Sequence, residues 1–403
     1  MDVLFLTPEI PFPPHGGGAI KSLAVLEHLR GEHRVHLACF TRRPLTPQQE
    51  RWVAELDHAD TVRLNRGRTP FNLVRSYIHG IPLSVERNRS PRMTALVSDR
   101  LREARHDVLF VDGWLMAQYV PRWFDRLKLL HQHNAEHVMW RRQVALERNA
   151  VRRAVLRAEY RRVRAYEASI LPTFDTVFAV SEPDRRALVA LGADPARVRP
   201  MPNVADPDLL SRPPLTPESS GQVLLFLGTL SWEPNVVGLE LFLRGALPRL
   251  REQVAGARLV IAGQGTPPRQ LIRLIAQTDG AQLLGPVADP EEVYRTSRIF
   301  VDPSRGGAGG RVKVLNAMAR GLPVVATPDA AEGLQAVDRE HLMVADAPSA
   351  MAEAIRDLLS DDQRWLSLSR AGRDLVRRHH TRDGAFAALD EVLSSASGGA
   401  RAE

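Results

Sequence analysis

Nine consecutive residues, Arg305-Gly306-Gly307-Ala308-Gly309-Gly310-Arg311-Val312-Lys313, set four glycines and basic side chains directly before an apolar helical stretch, VLNAMARG. Glycine admits a ligand close to the backbone, and the amides and dipole at a helix start attract anions. A guanidinium can fork onto two oxygens, while an ammonium adds a point charge. The chemistry such a segment suits is the binding of a diphosphate, with Arg311 as the fork and Lys313 as the second charge. These two do not share a helix face, so they converge only if Arg311 lies in the loop. The competing reading is a flexible loop with solvated cations.

Two further segments hold groups of this kind. His15-Gly16-Gly17-Gly18 follows the first apolar run and precedes a helical one. It is an incomplete Gly-x-Gly-x-x-Gly pattern, which disfavours a nicotinamide dinucleotide. It fits either a tight turn or contact with a phosphate or an acceptor. His131-Gln132-His133-Asn134-Ala135-Glu136-His137 ends another apolar run. Alternation along a strand sends His131 and His133 to one side, whereas Glu136 and His137 depend on the following turn. A metal cluster, an ordinary hydrogen-bonded strand end, and a site-lining role with His133 bonded to a reacting sugar or acceptor are all open to this segment.

The elements that must position these groups alternate regularly. Apolar runs at 3–7, 34–40, 107–112, 127–133 and 176–181 read as strands, with a helix near 19–30 and others between the later runs. They are apolar throughout, which suits parallel strands covered on both faces. Residues 200–222 carry six prolines among Ser, Asp and Gly, and read as a linker. The pattern then restarts at 223–229, 257–263, 281–287, 298–304, 322–327 and 341–346, with helices at 235–250, 267–278 and 310–320. The fold class is α/β, with two Rossmann-like doubly wound parallel sheets, whose ligands are expected at the C-terminal ends of the strands. The expected domains are 1–205 and 206–375. A helix at 376–394 and a disordered tail at 395–403 complete the chain.

Composition excludes several classes. With 403 residues, 44% hydrophobic and 25% charged, the chain has the make-up of a globular protein of two domains. No apolar run approaches the roughly 20 residues of a spanning helix. The start, MDVLFLTPEIPFPP, lacks the basic region of a secretory signal. Cys39 stands alone in VHLACF and reads as a buried small hydrophobe. The expectation is a cytoplasmic protein. Net charge is +7, and Arg141 to Arg164 contribute nine arginines against Glu147 and Glu159. Val144, Val151, Val155 and Tyr160 form an apolar stripe at helical spacing there. That segment reads as a solvated helix packed by this stripe, or as a surface for peripheral contact with anionic membrane at its inner face; nucleic acid is disfavoured.

Taken in order, PFPPHGGGAIKS, HQHNAEHVMWRR, FDTVFAVSEPDRR, LGTLSWEPNVVGLELF and VDPSRGGAGGRVKVLNAMARGLPVVATPDAAEGL resemble the large retaining glycosyltransferase family 4 of GT-B fold. The last piece is similar to a donor-site segment with a Gly-rich loop, an Arg-x-Lys pair and a Glu-Ala-Met-Ala helix. The resemblance implies two Rossmann-like domains across a cleft, with the C-terminal helix returning to the first. It implies transfer of a sugar from a nucleotide diphosphate sugar to an acceptor hydroxyl, with no further cofactor and no metal. Amides of Gly16, Gly17 and Gly18 would approach the donor phosphate or acceptor, and His133 would reach the transferred sugar. Arg311 and Lys313 would neutralise the departing diphosphate. Gly309 and Gly310 would meet the donor through backbone groups, and the turn from Gly285 to Val287 would cradle the base.

The chain departs from that pattern where many members carry two glutamates, at Ala308 and Asn316. The second glutamate accepts bonds from ribose hydroxyls; an amide accepts through its carbonyl, also donates, and carries no charge. Basic residues common after the first strand of the second domain are missing from Thr229 to Val236. Arg311 and Lys313 must then supply the positive charge alone. Two rival functions keep the same fold: a nucleotide-sugar epimerase or hydrolase, and a non-catalytic protein that binds sugar nucleotides or anionic lipid.

Overall fold

The computed structural model describes residues 1–14, 17–64, 67, 69–219, 221–306 and 311–399. Gly16, Gly309 and Gly310, three of the expected site residues, lie outside them. The chain divides into two compact units, Met1–Pro202 together with the segment from Phe386 onward, and Asn203–Ala385. The division falls three residues before the expected boundary at 205/206.

In the first unit seven strands form one parallel sheet. They are β1 (Asp2–Thr7), β2 (Arg34–Thr41), β3 (His58–Arg63), β4 (Val108–Asp112), β5 (Leu127–Gln132), β6 (Thr176–Ala179) and β7 (Val198–Pro200), in the order β3-β2-β1-β4-β5-β6-β7. The order reverses direction between β1 and β4, whose register pairs Phe5 with Phe110. Those two rings stack at 5.1 Å. Central strands are buried along their whole length because helices cover both faces, the reason their sequences do not alternate. β3, with the sequence HADTVR, escapes the apolar criterion because it is an edge strand with only Val62 buried. β7 escapes it because it is three residues long.

The second unit repeats the plan with β8 (Val223–Leu227), β9 (Arg258–Ala262), β10 (Ala281–Gly285), β11 (Ile299–Asp302), β12 (Val324–Ala326) and β13 (Met343–Val344). Their order is β10-β9-β8-β11-β12-β13, again parallel, with the reversal between β8 and β11. Each unit is thus doubly wound, and the C-terminal ends of β1 and β4, and of β8 and β11, mark the two places where a ligand of such a sheet binds.

Three expectations about helices need correction. The arginine-rich segment is two helices, Glu136–Leu146 and Ala150–Ile170, because Asn149 caps the second by accepting from the Arg152 amide at 3.0 Å. Half of the expected stripe does not pack: Val151 is 74% exposed and Val155 58%, whereas Val144 and Tyr160 are half-buried and Glu159, Val163, Glu167 and Ile170 face inward. The returning segment also begins later than 376. His380, 1% exposed, bonds through Nδ1 to the Asn203 carbonyl at 2.9 Å, which keeps the chain up to Ala385 in the second unit. From there the helix Arg382–Gly399 packs within the first unit, with Phe386 against the His28 ring and Asp390 on His28 Nε2 at 2.7 Å. It continues through residues 395–399, expected as a disordered tail, since buried Leu389 and Leu393 anchor its last turns.

Candidate active site

In the first unit the end of β4 gathers the site. Asp112 closes an apolar strand, is 0% exposed, and accepts from four side chains. Its Oδ1 takes His131 Nδ1 at 2.8 Å and His133 Nε2 at 2.7 Å. Its Oδ2 takes Thr7 Oγ1 at 3.2 Å, from the end of β1, and the Ser22 hydroxyl. His131 and His133 therefore do point to one side, as their spacing requires. Burial alone would raise the Asp112 carboxyl, but the neighbouring imidazoles hold it well below the ordinary carboxylate range. His131 is lowered to about 4, chiefly by burial against the opposing pull of Asp112, so it is neutral at pH 7 and donates from Nδ1.

The helix Gly17–Glu32 follows β1 and lies against this cluster. Lys21 Nζ donates to the His133 carbonyl at 3.1 Å, and a Cβ placed on Gly18 would stand 3.9 Å from His133 Nδ1. Gly18 and His133 are thus neighbours, with the second ring nitrogen of His133 turned toward the start of that helix. No described residue stands within 4 Å of a Cβ placed on Gly17.

In the second unit Asp302 ends β11 as Asp112 ends β4. It is 0% exposed, and its Oδ1 accepts Lys313 Nζ at 2.8 Å. The ammonium also donates to Asn235 Oδ1 at 2.7 Å and sits 4.7 Å from the Phe226 ring centre. Burial lowers the Lys313 pKa despite Asp302, and the charge of Arg311 lowers it further. Gly228 lets the lysine stem through: a Cβ there would come within 3.2 to 3.4 Å of Phe226, Asn235 and Lys313.

Arg311 is the N-cap of the helix Val312–Arg320 and so belongs to the loop, the condition under which it and Lys313 can act on one ligand. It is 6% exposed, donates to the Asp329 carbonyl and lies 3.9 Å from Glu332. The Gly306 amide meets the Asp329 carboxylate at 2.7 Å, so residue 329 anchors both sides of the glycine segment. Arg305 turns instead to Asp346. Asn316, half-buried one turn into the helix, accepts the Asp206 amide through Oδ1 at 2.9 Å. One lone pair of its carbonyl is therefore used internally, and its NH₂ can donate to a ligand. Gly285 closes β10 with φ 76 and open space around its Cβ position, and Val287 follows half-buried. Since β9 and β8 separate β10 from β11, that strand end lies about 14 Å across the sheet from the end of β11.

Comparison with known proteins follows the same division. A family model described as Glycosyltransferase Family 4 matches residues 15–209, and one described as Glycosyl transferases group 1 matches 221–361. Each half of the chain thus matches a glycosyltransferase family model. The chain is 31% identical over 208 residues to a phosphatidyl-myo-inositol mannosyltransferase of Mycobacterium leprae, covering 50% of the chain and 54% of that relative. It thus spans about half the length of the curated relatives it matches. Its architecture resembles that of a sucrose-phosphate synthase from Thermosynechococcus elongatus, with a TM-score of 0.72 at 17% identity over 99% of this chain and 100% of that one. It also resembles the Anabaena protein HepE in complex with UDP and glucose, with a TM-score of 0.69 at 15% identity over 98% and 100%. The two Rossmann-like sheets are those of the GT-B fold.

Several residues of this candidate site carry no local signal. Asp112, Asp302, Thr7, Ser22, Lys21 and Asn235 were not singled out from sequence. One pattern marks two of them: LFVDG at 109–113 and IFVDP at 299–303 each end a central apolar strand in an aspartate. A carboxylate directly after such a run must be buried with partners. Asp112, His131 and His133 are also the group among the described residues whose ligand atoms lie within 4.8 Å of one another. A tetrahedral ion would hold such atoms about 3.3 Å apart. The 2.7 and 2.8 Å separations here are direct hydrogen bonds to Asp112.

Next to this network lies a second buried pair. Glu167 accepts from Gln132 Nε2, the amides of Glu136 and His137, and His137 Nδ1 at 2.6 Å. Glu136 is raised to about 8 by burial first and then by the Glu167 charge. Between its ordinary value of 4.5 and about 8 the folded state keeps a proton that the unfolded chain has released, so stability falls as pH rises through that window. Glu136→Gln is expected to melt like the wild type near pH 4.5 and higher by about 5 °C at pH 8. Parallel melting curves across the range would show that Glu136 ionises freely.

Proposed function

We propose that this protein transfers a sugar from a nucleotide diphosphate sugar to an acceptor hydroxyl. The second unit binds the donor, and the first unit supplies the groups that meet the acceptor. The observation that carries this reading is the placement of Arg311 as the cap of the helix Val312–Arg320, with Lys313 inside its first turn beside the end of β11. Departure of the diphosphate is the hard event, because negative charge develops on it. A preorganised guanidinium, a buried ammonium and a helix start stabilise that charge, so a metal has no necessary role in the scheme. The base reaches toward Gly285 and Val287, and Asn316 donates to a ribose oxygen. His133, fixed on Asp112, is the first unit's group for the acceptor. Retention is the outcome this family implies. The UDP named with HepE and the mannosyl transfer named for the mycobacterial relative support a nucleotide sugar as donor and leave base and sugar open. On the acceptor side, the exposed arginines between Arg141 and Arg164 suit an anionic or lipid-linked acceptor met at the cytoplasmic face of a membrane.

Thermal melts with UDP, GDP, ADP, TDP and CDP at millimolar concentration test the donor half. One nucleotide is expected to raise the melting temperature by about 5 °C. No shift with any of the five would remove the reading. Incubation with the matching sugar nucleotide and no acceptor should leave most of the donor intact, whereas full conversion would assign an epimerase or hydrolase.

A further inference from the structure

The helix Pro70–His79 in the first unit is inside out. Ser76 is its buried residue, with Oγ donating to the Ile81 carbonyl at 2.7 Å, and Asn72 donates to the Gly67 carbonyl. Arg75 and His79 turn to buried Glu86, at 2.9 and 3.2 Å. The apolar side chains go the other way: Phe71 is 66% exposed, Val74 55%, Tyr77 53% and Ile78 75%. Phe71, Val74 and Ile78 lie within about 60° of one another around the helix, on the side opposite Ser76. A helix of a water-soluble surface shows the reverse arrangement, and a contiguous apolar face of this kind marks a binding surface.

The charge beside that face says what covers it. Arg162, on the helix Ala150–Ile170, stacks its guanidinium 4.0 Å from the Tyr77 ring centre and donates to Ser76 Oγ at 3.0 Å. Exposed Val151 and Val155 fall on the same side of that helix as Arg162, within about 20°. Both acidic residues of the helix, Glu159 and Glu167, are buried, while Arg152, Arg153, Arg157, Arg161 and Arg164 are exposed. Its solvent side therefore carries positive charge only. An apolar helix face in the same unit as a helix whose exposed charges are all arginines matches an anionic lipid surface, into which the apolar residues sink while guanidiniums meet headgroup phosphates.

We propose that the helix Pro70–His79 inserts its Phe71–Val74–Ile78 face into an anionic lipid bilayer, with the arginines of the helix Ala150–Ile170 as electrostatic partners. This deepens the acceptor half of the function above, moving the apolar part of the contact out of the arginine segment, and is independent of the donor half. No described helix is long and apolar enough to cross a membrane, so the contact is a peripheral one.

Co-sedimentation of the full chain with vesicles tests it, using phosphatidylcholine alone and phosphatidylcholine with about 30% phosphatidylglycerol. The wild type is expected to sediment with the anionic vesicles only. The double variant Phe71→Ser/Ile78→Ser should bind at least about tenfold more weakly, and Arg152→Gln/Arg157→Gln should bind about tenfold more weakly with a reduced salt dependence. Both pairs are exposed, so unchanged melting temperatures verify folding. Failure of the wild type to sediment, or equal sedimentation of the serine variant, overturns the proposal. So does a solution dimer that the serine variant abolishes, because a second copy would then be the occupant. The nucleotide-induced thermal shift should persist in every variant, and its loss would count against the donor reading instead.

Discussion

Arg311→Ala is expected to lower turnover about 10²- to 10³-fold while the second unit stays folded. The size follows from the geometry. Arg311 lies at the mouth of a helix, 6% exposed, where a guanidinium acts in a medium that screens it poorly. Among what it leaves behind on removal are a backbone carbonyl, at Asp329, and the Glu332 carboxylate, which is 33% exposed and remains hydrated. The melting temperature should therefore move by only a few degrees. Lys313→Ala is a poorer test, because it strands the buried carboxylate of Asp302 and a lost fold would mimic a lost catalyst. Arg311→Lys keeps the charge but not the fork and should fall between the two. If the guanidinium acts on the departing diphosphate, kcat falls; a rise confined to KM would place it in ground-state binding. Wild-type kcat in folded Arg311→Ala would remove Arg311 from the reaction altogether.

The features legible in the chain were those written locally. Central strands announce themselves because burial on both faces demands apolar residues throughout. The helix start at Arg311 and Lys313 announces itself because a glycine run before an apolar stretch marks a helix boundary in a few residues. The arginine-rich segment was misread because periodicity keeps charged residues out of the core. Glu167 faces inward all the same: its carboxylate accepts donors from Gln132, Glu136 and His137, some thirty residues away, which makes burial tolerable. Thr7 and Asp112 are likewise joined across 105 residues, and Asn235 and Lys313 across 78. Contacts of that kind are properties of the sheet order. Only the aspartate at the end of an apolar strand, seen at both 112 and 302, hinted at them.

Asp112→Asn should test whether that hidden aspartate takes part in the reaction. Asparagine can keep its oxygen on His131 and His133 and turn its NH₂ toward Thr7 and Ser22, whose hydroxyls can accept as well as donate. The hydrogen-bond pattern thus survives and the negative charge does not. His133 would still hold its proton on Nε2 and present Nδ1 toward Gly18, but a positive charge developing on it would no longer be balanced. Turnover is expected to fall by about 10²-fold or more. The pH dependence of stability gives an independent sign. The carboxyl is depressed in the folded state, so its stabilisation is complete above the ordinary carboxylate range and is lost as pH falls through the folded value. The gap in melting temperature between wild type and Asp112→Asn should be widest near pH 7 and narrow steadily below about pH 4. Asp112→Ala leaves both imidazoles without their acceptor and should lose about 3 kcal/mol of stability besides. A purely architectural aspartate would show those melting shifts with unchanged kcat in the fraction still folded; a positioning role for His133 requires kcat to fall in Asp112→Asn even where melting shows it fully folded.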